Sequence, residues 1–143
     1  MTDTYIVGFD GTAQSRRAVD YAAARAGQSG AKVCVVLVIE WSPYGFHTPE
    51  ELAERHKRRE EELDRAGATV QPVVDELKKA GVDASHEVRH GNAADLLCQI
   101  SKEKDATQII IGRTGDSELA QRLLGGLVIT LAQVAPVPVT IVP

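Results

Sequence analysis

The sequence predicts an α/β fold in which one doubly wound, five-stranded parallel sheet carries helices on both faces. Two observations carry this. Short apolar runs alternate with longer stretches of helical periodicity, in the order βαβαβαβαβ. The runs also lack polar alternation: Val33-Cys34-Val35-Val36-Leu37-Val38-Ile39 is continuous, as in strands buried on both faces of a parallel sheet. Strands that alternate with helices then imply right-handed crossovers.

Tyr5-Ile6-Val7-Gly8-Phe9 reads as the first strand, stopped by Asp10-Gly11. Thr12 or Ser15 can cap the helix that follows, where Ala18, Val19, Ala22, Ala23 and Ala26 recur at helical spacing before Gly27 and Gly30. Its inner face is nearly all alanine, which lets a helix sit close to a sheet. Lys32 to Ile39 is the second strand, and Glu40 to His47 a loop with Trp41, Pro43 and Gly45. Thr48-Pro49-Glu50-Glu51 is a capping box with proline at the first helical position. The charged turns from Ala53 to Glu62 should project into solvent. Leu63, Ala66, Val70, Val73, Val74 and Leu77 then form a helical stripe, which Pro72 should kink or interrupt and Gly81 should end.

Val82 to Arg89 alternates, with Val82, Ala84 and His86 on one side, and suits an edge strand. His90-Gly91-Asn92 turns the chain. Asn92 and Asp95 read as a cap and its partner, and Ala93, Leu96, Leu97 and Ile100 as a helix face. Thr107 to Ile111 is the fourth strand, and Leu127 to Ala135 the last helix. Pro136 to Val142 is a fifth strand whose initial prolines suit an edge.

The 143 residues suit one domain, 1–143, large enough for a single core. A formal net charge of −4 argues against a sequence-independent grip on nucleic acid or an anionic membrane, both of which need a basic face. Cys34 and Cys98 lie in apolar segments without metal or redox spacing and read as small core residues. Reduced thiols and an opening Met1-Thr2-Asp3-Thr4 without a basic leader fit a cytoplasmic protein. No apolar run reaches the ~18 residues that span a bilayer.

The chemistry concentrates after strand four. Ile109-Ile110-Ile111 ends at Gly112, a glycine-rich loop follows (Gly115, Gly125, Gly126), and then comes a helix. Glycine lets backbone N–H groups approach a phosphate, and a helix N-terminus adds partial positive charge. Glycine pairs also end strands for structural reasons alone. Ligands of doubly wound sheets bind at the carboxyl ends of strands, where strand order reverses. If strands one and four are neighbours, Asp10 faces the glycine loop and can hold a ribose hydroxyl or base edge; the alternative reading is that it simply orders the turn with Gly11.

Other candidates are weaker. His47, His56, His86 and His90 have no metal-like spacing, and Ser15, Ser42, Ser85, Ser101 and Ser117 lack a nucleophile elbow. No Walker lysine follows the glycines, which sets P-loop NTPases aside. Trp41 and Tyr44 either wall the crevice or pack under the next helix. Glu60-Glu61-Glu62 reads as a solvated face.

Along its whole length the chain resembles the universal stress protein family. Asp10-Gly11-Thr12 resembles the family's opening Asp-Gly-Ser, and Gly91-Asn92-Ala93 the turn before its third helix. Most specific is the nucleotide loop Gly-x2-Gly-x9-Gly-Ser/Thr, whose three glycines fall on Gly112, Gly115 and Gly125. The resemblance implies sheet order 3-2-1-4-5, adenosine near Gly8, Phe9, Asp10 and Val38, and phosphates at Gly112, Gly115, Gly125 and Gly126. Leu127 and Val128 would offer backbone N–H groups, and the side chain of Arg113, with Arg122, would offset Asp116 and Glu118 in the loop. It also implies a homodimer through the C-terminal strand, at Val137, Val139 and Ile141.

One departure matters. Gly126 replaces the family's Ser/Thr, and Val128 stands where a hydroxyl is common. Two phosphate donors are thereby lost, each worth roughly 1.5–3 kcal/mol when the partner is charged. The leading expectation is a regulatory module that binds ATP or AMP weakly. A nucleotide-independent interaction protein on the same fold is the second reading. A slow ATPase ranks last, since no general base or metal cluster is evident.

Overall fold

The computed structural model describes residues 2–40, 48–113 and 126–143. Within them the chain runs β1 (Thr4–Gly8), α1 (Ala13–Ser29), β2 (Lys32–Ile39), α2 (Pro49–Lys79), β3 (Asp83–His90), α3 (Ala93–Glu103), β4 (Gln108–Gly112), α4 (Gly126–Val134) and β5 (Val139–Val142). The five strands form one sheet in the order β3-β2-β1-β4-β5, every pair parallel. The expected α/β architecture and strand order are thus observed. The expectations on Trp41, Tyr44, Gly115, Gly125, Arg122, Asp116 and Glu118 lie outside the described residues.

The order reverses between β1 and β4, and the helices divide accordingly. On one face α1 and α2 cover Tyr5, Val7, Val33, Val35 and Ile110. On the other, α3 and α4 cover Ile6, Cys34, Val36, Ile109 and Ile111. Right-handed crossovers require this division: leftward connections place helices on one face, rightward ones on the other. The central strands are buried on both sides, which is why their sequences are continuously apolar. The helix α1 contributes Ala18, Val19, Ala22 and Ala26 to the core, the small-residue face that the sequence indicated. Cys34 is buried and Cys98 half-buried, both as free thiols.

Thr48 caps α2 through the reciprocal box with Glu51, as the sequence predicts. Pro72 does not interrupt the helix, which runs for 31 residues. Proline removes one intrahelical hydrogen bond, but Val70, Val73, Val74 and Leu77 on either side of it are buried and keep the turns flanking it against the sheet. The core stripe begins at Ala66, and Leu63 is exposed to 36%. At Glu62 the helix passes the end of β3, where the carboxylate meets His90 Nε2 at 3.1 Å. The earlier, charged turns run on past the strand ends, and no described residue of Pro49–Arg65 is buried.

Smaller shifts have local causes. β1 begins and ends one residue earlier than expected, although Phe9 N–H still donates to Val36 O (2.9 Å). The buried face of α3 is Ala94, Leu97, Ile100 and Ser101, with Ala93 and Leu96 at its half-buried margins. β5 starts only at Val139, because Pro136 and Pro138 have no N–H to give the ladder; Pro138 contributes its carbonyl, accepting from Ile109 N–H (3.0 Å). No described helix is long and apolar enough to cross a membrane.

Ile110 lies on an inner strand, wholly buried under α1. Ile110→Ala should therefore cost about 2–5 kcal/mol of stability, measured by urea unfolding; a change below about 1 kcal/mol would contradict this account of the core.

Candidate functional site

The reversal of strand order brings the carboxyl ends of β1 and β4 side by side. Their register is Tyr5 to Gln108, Ile6 to Ile109 and Val7 to Ile110, so Gly8 stands beside Ile111 and Phe9 level with Gly112. Both glycines sit in tight places. A Cβ on Gly8 would lie 3.2 Å from Ile111 Cγ2, and one on Gly112 would lie 3.1 Å from the backbone oxygen of Gln14 in the first turn of α1. The end of β4 therefore rests directly on the start of α1, backbone against backbone.

Asp10 holds that start in place. Its Oδ1 accepts from Thr12 N–H (3.0 Å), Thr12 Oγ1 (2.5 Å) and Ser15 Oγ (2.7 Å). Of the two candidate caps, Thr12 is the N-cap, accepting from Ser15 N–H. Gly11, between Asp10 and Thr12, sits at φ +86°, a conformation that L side chains rarely adopt. The turn-ordering role of Asp10 is thus present. Its carboxylate is nonetheless exposed at the crevice mouth. Partial burial opposes its charge, but the hydrogen bonds from Thr12 and Ser15 outweigh it and hold Asp10 below the usual carboxylate range. Ser15, 7% exposed, was not legible as part of this site; the signal was the spacing Asp10, Thr12, Ser15 around a glycine.

The remaining expected residues fall at the same end of the sheet. Val38 is half-buried on the α3–α4 face, two residues past Val36, the partner of Gly8. Phe9 turns its ring into the α1–α2 core and, with its N–H engaged by Val36 O, offers only its carbonyl at the strand end. Arg113 exposes its side chain, while its N–H donates to Val142 O (2.9 Å). Gly126 opens α4, and Leu127 and Val128 pack their side chains on the core below. The first N–H groups of a helix have no intrahelical acceptor and carry partial positive charge, so this turn can receive an anion. Among the described residues, none comes within 4 Å of where a side chain on Gly126 would project. Gly8, Phe9, Asp10, Gly112 and Arg113 are thus brought together at two adjoining strand ends, with Val38 one strand over and Gly126 to Val128 on the helix that follows β4.

The depressed pKa of Asp10 stabilises the folded state above the unfolded value of about 3.9 and ceases to do so as pH falls through the lower, folded value. The stability difference between the parent and Asp10→Asn should therefore be present at pH 6 and disappear towards pH 2 in urea titrations. A difference that persists unchanged at pH 2 would rule out a charge-based role.

Comparisons with known proteins agree with the geometry. The model of the universal stress protein family matches residues 1–143. Universal stress protein Rv1996 of Mycobacterium tuberculosis (strain ATCC 25618 / H37Rv) is 28% identical over 154 positions, which cover 96% of this chain and 47% of that protein. The chain spans about half the length of the curated relatives it matches. Among solved structures, the universal stress protein UspA from Lactobacillus plantarum superposes with a TM-score of 0.83 at 17% identity, covering 99% of this chain and 97% of that one. A universal stress protein in complex with cAMP gives 0.71 at 26% identity, with the same coverages.

Proposed function

The chain belongs to the universal stress protein family, and we propose that it is a cytoplasmic regulatory module, one domain over residues 1–143, that binds an adenine nucleotide weakly and works as a homodimer. The observation that carries the nucleotide reading is the meeting of β1 and β4 at the reversal of strand order, with an exposed carboxylate on one strand end and a helix N-terminus following the other. The cAMP complex of a relative 26% identical to this chain supports an adenine nucleotide as the ligand.

In this reading the adenosine lies against the strand ends at Gly8, Phe9, Asp10 and Val38. The phosphates lie over Gly112, Gly115, Gly125 and Gly126, with N–H groups from Leu127 and Val128. Arg113 supplies an exposed positive charge at the rim. Neither Gly126 nor Val128 supplies a hydroxyl, so backbone dipoles do the holding and the affinity for ATP or AMP is low.

The dimer reading rests on the edges of the sheet. The edge strand β3 carries Asp83, Glu87 and Arg89, charges that discourage strand addition. At the other edge, β5 reads Val-Thr-Ile-Val, and Ile141 is exposed to 42%. The prolines precede the strand and leave the edge of Val139–Val142 unblunted. Two-fold pairing of β5 with its copy would cover both edges at once.

Gly126→Ser meets no described neighbour within 4 Å and should tighten ATP binding by about 1–2 kcal/mol, roughly five- to thirtyfold. Calorimetry with ATP and AMP on both proteins tests this. Absence of binding to either protein at millimolar nucleotide would reject the nucleotide reading and leave a nucleotide-independent interaction protein. Ile141→Lys should convert a micromolar dimer into a folded monomer in sedimentation velocity; a dimer that survives the substitution places the interface elsewhere.

A further inference from the structure

We propose that the projecting half of α2 pairs, antiparallel, with the same segment of a second copy of this chain. The contact is separate from the β5 edge and uses no residue of the nucleotide reading. Its first basis is a core stripe that continues uncovered. Ala66, Val70, Val73 and Leu77 are buried where α2 packs on β2 and β3. They follow one another at intervals of four, three and four residues. Towards the start of the helix the same alternation runs on through Leu63, Arg59, His56 and Leu52. All eight therefore lie on one seam, of the spacing by which helices pair. The end of β3 lies beside Glu62, where His90 Nε2 meets its carboxylate at 3.1 Å. Beyond that point Leu63 is exposed to 36% and Leu52 to 53%.

The order of charges selects the occupant. Arg55, Lys57, Arg58 and Arg59 come first, and Glu60, Glu61, Glu62 and Asp64 follow. Two such segments laid parallel oppose like charges. Laid antiparallel they oppose unlike ones, and the helix dipoles oppose as well. With the two-fold axis beside Lys57 and Arg58, Leu52 of each copy meets Leu63 of the other, and Arg55 flanks the seam opposite Glu62. Each contact then occurs twice, as the symmetry demands. The lengths also agree: Pro49 of one copy comes level with Ala66 of the other, where the seam passes under the sheet. The pair His56 Nε2 to Glu60 Oε1 (3.2 Å) lies within one arm and is exposed on both sides; such pairs contribute little, so rearranging them across the axis costs little. A nucleic acid or an anionic surface would meet the acidic block beside the basic one, whereas a second copy meets both in reverse. Only two leucine layers form, with His56 and Arg59 between them, so this association belongs at higher concentration than pairing at β5.

The test is sedimentation equilibrium of the full chain from roughly 10 μM to about 1 mM. The mass of the parent should about double across this range. Arg55→Glu and Glu62→Lys each set like charges opposite one another at both flanking positions, and each should weaken the step by about tenfold or more. Mixed in equal amounts, the two variants regain unlike pairs at both positions, and association should return to that of the parent. Leu52→Glu changes only an exposed side chain of the arm and should abolish the step. A parent of constant mass, variants that associate as the parent does, or a mixture no better than its components would each overturn the pairing. Should Glu62→Lys fail to fold, Arg55→Glu and Leu52→Glu against the parent decide. None of these outcomes depends on whether nucleotide binds.

Discussion

The handedness of the crossovers is the constraint from which the rest of this structure follows. Five parallel strands must be joined by right-handed connections, so a chain that starts in the middle of the sheet, builds outwards to β3 and then returns to the other side of β1 places α1 and α2 on one face and α3 and α4 on the other. Between β1 and β4 the strand order reverses, so among the described residues no helix links their adjoining carboxyl ends directly, the place where doubly wound sheets bind ligands. The chemistry of the site is superimposed on this geometric consequence.

Close approach of backbones shapes the floor of that crevice. The carboxyl end of β4 meets the first turn of α1 so closely that a methyl group on Gly112 would be crowded by the Gln14 backbone, and Gly8 lies nearly as close to the Ile111 side chain. Asp10 fixes the other partner of this contact by tying Thr12 and Ser15 to one carboxylate oxygen. Glycines that would be read as serving a ligand therefore also serve packing. The two roles are compatible, because backbone brought this close together at the strand ends is also backbone that a ligand can reach.

Much of the fold was legible in the sequence because its signals are local. The capping box at Thr48 needs only four residues, and the apolar run of β2 reports burial on both faces. Pro72 fails to interrupt its helix for the converse reason: its local cost is real, but the side chains that outweigh it are buried against strands far away in sequence. The start of β5 was placed too early because apolar residues flank the prolines, whereas pairing depends on N–H groups the prolines lack. At the site, Gly112 was singled out for the right position and on incomplete grounds, since its contact with Gln14 is nearly a hundred residues distant in the chain.

The sequence by itself determined the kinds of elements and their order, the burial of the inner strands, the capping of the helices and the absence of side-chain hydroxyls at positions 126 and 128. These are properties of neighbouring residues and of residue type, which no later packing can change. Only the tertiary structure decided which strand ends adjoin, that Asp10 commits one oxygen to the start of α1, that Phe9 turns into the core while Val38 takes the other face, and that α4 and β5 rest on one shared apolar layer. Periodicity along the chain specifies that a face is apolar, but not what covers it; that is settled when strands distant in sequence pair and their crossovers take the only hand available to them.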